Sequence, residues 1–380
     1  MSNPENKLEA VQITLRFRVK DKHASRLNAQ ARAVSFVWNY CNETQKKAAL
    51  SHRKWLSWLD LGKLTRGATT AGLDLHSATV NRVCHRYAAS RNQQRKPWLK
   101  WRGRKSLGWV PFNTGHVVFR GGAFLFRGTS YQVWLTREIP EGARFGAGSF
   151  NQDSRGRWYI NVPMKVTPTE SSAHGEVGVD LGLKTLATLS DGNKIEMPAY
   201  YRAAQDRIGK AQRANKKRLK RALHAKTANQ RRDYLHKASA NLARTYGLIV
   251  VGNVSPSKLA KTRMAKSVHD AGWSDFRSML AHKALRHGGI MIEVDEAYST
   301  QICSECGTLP DSRPAGFANL GVRAWTCSEC GAIHDRDVNA ARNILRSGQR
   351  SLIEGAARCG VAKSWSGMNS AKRAEEISNV

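Results

Sequence analysis

Two short cysteine motifs carry the most specific chemistry in this sequence of 380 residues. Cys303 and Cys306 are followed by Cys327 and Cys330, each pair spelling Cys-Ser-Glu-Cys. Two such knuckles can set four thiolates tetrahedrally about zinc, leaving no coordination position open for chemistry. Gly307 and Gly331 follow the pairs directly, where the chain must turn tightly around an ion. One CxxC alone could serve redox chemistry; two in tandem point to a structural zinc, with His334 not needed as a ligand. The chain has 7 cysteines, an odd count, and Cys41, Cys84 and Cys359 stand outside the pairs, which speaks against a disulfide framework.

The second set is acidic. Asp180 closes an apolar strand in GVDLG, between Gly178 and Gly182. Asp335 and Asp337 lie in HDRDVNAARNIL, just past the second cysteine pair, where a helix begins. Carboxylates converging from a strand end and a helix start can hold two divalent ions, which activate water and stabilise the leaving oxygen in phosphodiester cleavage. Without cations, such clustered charges repel and raise one another's pKa. An aspartate at a helix start is also an ordinary cap. The conjunction with the cysteine pairs is what gives these acids weight.

The elements that must position these groups are legible around them. EVGVD reads as a strand, and LKTLATLSDGNKIEM as a hairpin turning at Asp191-Gly192. A helical stretch over about 198–246 is dense in cations, among them Lys216, Lys217, Arg218, Lys220, Arg221, Arg231 and Arg232, opposed only by Asp206 and Asp233. That excess exceeds what intrahelical pairing could neutralise and predicts a phosphate-binding helical pair. GLIVV reads as a buried strand, a helix follows over about 271–287, and GGIMIEVDE is a further strand.

Upstream, VQITLRFRV alternates as a strand, and a helical pattern runs from about 21 to 92. RKPWLKWRGRKSLGWVPF then interleaves Trp98, Trp101, Trp109 and Phe112 with Lys96, Lys100, Arg102, Arg104 and Lys105. Rings among cations suit base stacking with phosphate contact; burial in a core strand is the plainer alternative. HVVF, AFLF, YQVWL and RWYINVPMKV are short strands that could close with the first into a small barrel. The polar TPTESSAHGE (167–176) reads as a linker.

Composition narrows the partner. Lys plus Arg number 62 against 29 acidic residues, a formal net charge of +33. Solubility asks for a net charge of only about 2–8 in a small domain, so this excess points to a polyanion, with nucleic acid the usual one. No basic helix faced with Trp and Leu suggests a membrane surface. No apolar run approaches the roughly 20 residues of a membrane span, and the N-terminus does not resemble a signal peptide. The expected location is the prokaryotic cytoplasm, with reduced thiols.

In this order and spacing, GVDLGLKTLATLSDG, the two CxxC pairs and HDRDVNAARNIL resemble the TnpB family, transposon-encoded relatives of the type V CRISPR effector nucleases. The resemblance covers about residues 175–346, while SFVWNYCNE and PWLKWRGR are more loosely similar to the family's N-terminal regions. It implies an α/β multidomain fold with a wedge β-barrel in parts 1–20 and 95–172, interrupted by a helical recognition insert at 21–94. An RNase H-like RuvC catalytic domain would occupy 173–301 and 333–346, with a zinc ribbon inserted at 302–332 and a flexible tail at 347–380.

The implied activity is RNA-guided DNA cleavage. A guide RNA from the transposon end would lie on the basic face, double-stranded target DNA would be recognised beside a short flanking motif, zinc would be structural, and about two magnesium ions catalytic. Monomer and dimer are equally compatible. Asp180 matches the first RuvC aspartate and Asp337 the last, with Asp335 as a neighbour that caps or orients. The family usually places a glutamate at the end of the strand equivalent to GLIVV, but here Val251-Gly252-Asn253-Val254 has none. A branch of relatives moves this acid to the strand before the zinc ribbon, where EVDEAYSTQICSEC offers Glu296; Glu293 and Asp295 match less well. The expected catalytic and magnesium-binding set is therefore Asp180, Glu296 and Asp337. A nuclease-dead RNA-guided repressor is one rival, and the intact acids count against it. An accessory transposition factor or transposase, using similar carboxylates, is the other.

Overall fold

Alternating apolar side chains make β1 (Val11–Val19) a one-sided strand that buries Leu15, Phe17 and Val19. The chain then forms α1 (Ala24–His52), α2 (Trp58–Leu64) and α3 (Ser77–Gln94). Reciprocal bonds between Ser57 and Asp60 start α2 as a capping box. The computed structural model describes residues 10–140, 142–168, 173–254, 271–315 and 321–359. They divide into two compact units, Gln12–Val166 and a second that begins at Thr167.

In the first unit the helices lead into β2 (Trp109–Phe112), β3 (Val117–Arg120), β4 (Ala123–Phe126), β5 (Thr129–Trp134), β6 (Gly148–Gln152) and β7 (Trp158–Val166). With β1 they form a 7-stranded sheet in the order β2-β6-β7-β1-β5-β4-β3. Gly121 and Gly122, both at positive φ, form the two-residue turn between β3 and β4. One core joins helices and sheet, and in it the rings of Phe112, Phe126, Tyr131 and Phe150 pack 4.9 to 6.5 Å apart. The expected barrel takes the form of an ordered sheet: among the described residues no ladder joins its outer strands, β2 and β3.

The second unit is built on β8 (Gly175–Leu181), β9 (Thr185–Leu189), β10 (Lys194–Glu196), β11 (Tyr246–Gly252) and β12 (Ile290–Val294). Their order is β10-β9-β8-β11-β12, with β8, β11 and β12 parallel, β9 antiparallel to β8, and β10 antiparallel to β9. Between β10 and β11 stand the basic helices α4 (Tyr200–Arg213) and α5 (Lys217–Thr245), joined through Ile208, Ala211 and Leu223. Helix α6 (Trp273–Arg286) links β11 to β12, and α7 (Arg336–Cys359) follows a small hairpin of β13 (Ala324–Thr326) and β14 (Ile333–Asp335).

Both faces of this sheet are covered, as parallel strands require. Ile249 and Val251 pack with Leu235, Trp273 and Phe276 on one side, while Leu248 and Val250 meet Ile344 on the other. Helix α7 lies very close to β8 because Gly178 has no side chain: a Cβ there would stand 1.9 Å from the Ala341 carbonyl oxygen.

Two boundaries differ from expectation. Strand β12 ends at Val294, so Glu296 lies in the turn beyond it. Helix α7 continues to Cys359, past residue 346, because its apolar side chains still pack on the sheet as far as Leu352. The rest of the expected tail, 360–380, lies outside the described residues, as do 169–172 of the expected linker. No helix among the described residues is long and apolar enough to cross a membrane.

Candidate metal centres and nucleic-acid interface

The four cysteine thiols are already gathered. Sγ atoms of Cys303, Cys306, Cys327 and Cys330 all lie within 4.8 Å of one another. Cys303 and Cys330 are 3.7 Å apart, and Cys306 and Cys327 3.8 Å. A zinc tetrahedron with bonds of about 2.3 Å has sulfur–sulfur edges of about 3.8 Å, so the donor set fits zinc. Gly307 and Gly331, at φ 76° and 72°, make the tight turns after each pair. The Thr308 hydroxyl, 3.0 Å from Cys306 Sγ, holds that thiol below its ordinary pKa and favours the thiolate that a metal needs. His334 Nε2 lies 3.1 Å from Cys303 Sγ, its ring packed against Trp325.

The acids are arranged differently. Asp180 sits at the end of β8, half-buried, and its pKa is pushed up to about 7. Burial is the main cause, followed by the charges of Asp337 and Glu296, which outweigh Arg336 and Arg323. Asp337 opens α7, with both carboxylate oxygens accepting from Arg323 Nη1 at 2.9 and 2.7 Å. Asp335 caps the same helix, accepting from the amides of Asp337 at 2.9 Å and Val338 at 3.1 Å, and pairs with Lys194 at 2.8 Å. Partial burial alone would raise its pKa; the Lys194 ammonium and these amides outweigh burial and lower it.

Glu296 lies against the end of β11, where Gly252 carries no side chain. A Cβ at Gly252 would lie 2.6 Å from Glu296 Oε2 and 3.2 Å from its Cβ. The Glu296 side chain thus lies over the bare backbone at the end of β11, and a backbone hydrogen bond from Val254 holds it there. Burial raises its pKa, against an opposing pull from Arg277. Asp180, Glu296 and Asp337 are therefore brought together closely enough for the latter two to raise Asp180, but, among the described residues, only the thiols are gathered as tightly as 4.8 Å. Glu293 pairs with Arg277 at 3.6 Å, and Asp295 is exposed.

Residues that the sequence reading passed over hold this region. Asn339 and Asn343 of α7 reach the segment between Glu296 and Cys303, and Arg346 Nη2 donates to the Ser304 carbonyl at 2.5 Å. Asn and Asn at i and i+4 on one helix, in NAARN, was the available signal. Arg323 carried none.

Of the proposed nucleic-acid contacts, Lys100, Trp101 and Arg104 are exposed, while Trp98 is half-buried with Lys46 Nζ 5.8 Å from its ring. Arg102 is committed inside the unit, donating to the Leu107 carbonyl at 2.6 Å and Ser35 Oγ at 3.3 Å. Trp109 packs edge-on to Trp38 and Phe112 is fully buried, so these two rings belong to the core; their strand faces inward. In the second unit Lys216, Lys217, Arg218, Arg221 and Arg232 are exposed, Arg231 is half-buried, and half-buried Lys220 reaches Gln212 Oε1 at 3.0 Å.

Comparison with known proteins agrees with this arrangement. Residues 273–344 match the family profile described as Cas12f1-like, TNB domain, and residues 159–263 match OrfB_IS605, described as Probable transposase. A Streptomyces pristinaespiralis protein provisionally named an RNA-guided DNA endonuclease is 31% identical over 359 residues, covering 88% of this chain and 88% of its own. InsQ of Escherichia coli K12, provisionally named in the same way, is 32% identical over 234 residues, covering 53% of this chain and 56% of its own. Among solved structures, Cas12f1 in complex with sgRNA and target DNA shares the fold, with a TM-score of 0.57 at 11% identity over 86% of this chain and 83% of that one. Fold and cysteine cluster together describe a mixed α/β protein of Cas12f-like fold with a four-cysteine, zinc-ribbon-like cluster. The chain belongs to the TnpB family of RNA-guided DNA endonucleases.

Proposed function

We propose that this protein cuts DNA complementary to a guide RNA from its transposon end, beside a short flanking motif, by magnesium-dependent hydrolysis at Asp180, Glu296 and Asp337. One observation carries the reading: acids from a strand end, a post-strand turn and a helix start lie near enough that, after burial, the charges of Asp337 and Glu296 add to the raised pKa of Asp180. The sheet order, with β9 alone reversed among its neighbours, is that expected of an RNase H-like domain. The cysteine cluster between β12 and α7 is where its ribbon is expected.

Carboxylate oxygens are hard donors suited to magnesium, as four thiolates are to zinc. Bound there, about two magnesium ions would supply a water of lowered pKa and positive charge for the leaving oxygen. Asp180 from β8 and Asp337 from the start of α7 would hold the ions, and Glu296 would replace the acid that β11 lacks. Asp335 orients Asp337 through the helix amides, and Asp337 must exchange Arg323 for the ion.

Lys216, Lys217, Arg218, Lys220, Arg221, Arg231 and Arg232 offer a phosphate-binding face for guide or target. In the first unit the sheet acts as the wedge and the helices as the recognition insert, with Trp98, Lys100, Trp101 and Arg104 toward nucleic acid and Arg102 as their brace. Base pairing supplies sequence specificity while the protein reads backbone and shape. The Cas12f1 structure of like fold contains sgRNA and target DNA, and the Streptomyces relative carries an endonuclease name; both support this reading. The place of action is the nucleoid of a prokaryotic cell.

The test is Glu296→Gln in the guide-loaded protein. Cleavage of matched plasmid should stop while target binding survives, and Glu293→Gln should be much milder. Cutting at the wild-type rate by Glu296→Gln would refute the assignment.

A further inference from the structure

The segment from Glu296 to Ser304 has no strand or long helix of its own, yet much of its backbone is hydrogen-bonded. Ser299 N–H donates to the Glu296 carbonyl at 3.1 Å, and the amides of Gln301 and Ile302 both donate to the Tyr298 carbonyl, at 2.8 and 3.0 Å. That turn forces Tyr298 to φ 61°, a conformation bulky residues adopt only when their surroundings over-determine it. The surroundings are two asparagines of α7. Asn343 Nδ2 donates to the carbonyls of Ser299 at 2.9 Å and Ile302 at 2.7 Å. Asn339 Nδ2 donates to the same two carbonyls, at 3.3 and 2.8 Å, while its Oδ1 accepts from Ser304 N–H at 2.8 Å.

We infer that Asn339 and Asn343 are positioning residues for the carboxylate centre, tying the Glu296 turn and the first cysteine pair to one helix, so that divalent-ion affinity at the acids depends on this clamp. The inference rests on the reading of Glu296 as a metal ligand. A single amide would suffice to satisfy two carbonyls; here two amides converge on them, and both are buried, Asn339 at 1% and Asn343 at 7% exposure. Asp337 lies two residues before Asn339 on the same helix. Helix α7 also meets the Asp180 strand at Gly178. One rigid element therefore sets the spacing of all three acids, and Asn339 adds the knuckle that carries Cys303 and Cys306. A zinc site in this place does more than hold the domain together: through Ser304 and Asn339 it sets where Glu296 stands.

Direct Mn2+ binding to the full-length, zinc-loaded protein tests this, read from free Mn2+ by electron paramagnetic resonance. The binding lost in Asp180→Ala defines the carboxylate centre. Asn343→Ala should weaken binding there by about tenfold or more, as loss of a supporting hydrogen bond commonly does. Its zinc content and guide-RNA affinity should remain those of wild type, and excess Mn2+ should restore cleavage at unchanged KM for target. Asn343→Asp, equal in size but without donors, should behave alike. Unchanged Mn2+ affinity in both, alongside a loss in Glu296→Gln, overturns the inference and leaves the Glu296 assignment standing. Unchanged affinity in Glu296→Gln overturns that assignment instead. Should neither Asn343 variant fold, Asn343→Gln, which keeps the donors at a different reach, decides in the same assay: weakened Mn2+ binding at wild-type zinc content supports the clamp, and wild-type Mn2+ affinity overturns it.

Discussion

The thiol cluster and the acids proposed as a second metal centre belong to one unit and are opposites in design. The thiols are gathered within 4.8 Å, with His334, Thr308 and the turn glycines arranged around them. The acids are held short of that: Asp337 is paired with Arg323 at 2.7 Å, Asp180 is pushed up to about 7, and Glu296 is raised by burial. A structural site should be closed and satisfied, because its task is to lower the energy of one conformation. A site for hydrolysis must leave room for water and substrate, so its acids remain mutually repelling until cations and phosphate arrive. The same stretch of chain stores stability in one centre and electrostatic tension in the other.

Breaking the first centre should have the largest effect. Cys327→Ser should lose zinc and unfold much of the second unit, since structural zinc contributes on the order of 10 kcal/mol to folding; circular dichroism with metal analysis checks this, and folded, zinc-free, active protein would contradict it. Asp180→Ala should instead keep fold, zinc and target binding while cleavage falls about a thousandfold or more, measured as single-turnover rates.

The tension itself has a pH signature. The folded pKa of Asp180, about 7, lies above its unfolded value, so its protonation favours the folded state. That contribution is full below the unfolded pKa near 3.9 and is lost as pH rises through about 7. Metal-free wild type should therefore lose stability relative to Asp180→Asn between pH 5 and 8, by on the order of 2 kcal/mol, and magnesium should shrink the difference. A denaturant series that shows no pH-dependent gap would remove the electrostatic argument. The smallest change is Gly252→Ala, expected to displace Glu296 and slow cleavage by about tenfold, roughly 1.4 kcal/mol, without changing zinc content. Cleavage rates alongside melting temperature separate this from a loss of fold.

Much of the second unit could be read from residue types alone because its signals are local. Four cysteines at fixed spacing, an aspartate ending an apolar run, and acids at a helix start each declare themselves within a few residues. What could not be read depends on contacts between distant segments. Gly178 looks like a strand residue until α7 is seen against it, and Arg323 looks like one more cation until it meets Asp337. The donors of Asn339 and Asn343 are spent on carbonyls about forty positions away. In the first unit aromatic-cation interleaving misled in part: Trp109 and Phe112 are core, and Arg102 supports its own loop, because a pattern of rings and cations does not say which face looks inward. The barrel closure inferred from strand alternation is not fixed by alternation either, since pairing of the outer strands is a tertiary matter.

The seating of Glu296 over Gly252 also constrains the order in which mutations can accumulate. A side chain introduced at position 252 while Glu296 is present meets Glu296 Oε2 at 2.6 Å and Ile344 Cδ1 at 3.2 Å. An acid on β11 would therefore displace the Glu296 carboxylate from its present seat, so the two placements compete for one space. A lineage moving from one to the other gains from the second acid only as the first gives way. Gly252→Glu introduced alone should slow cleavage, and a small residue at 296 should relieve part of that loss, which makes this pair a measurable case of epistasis.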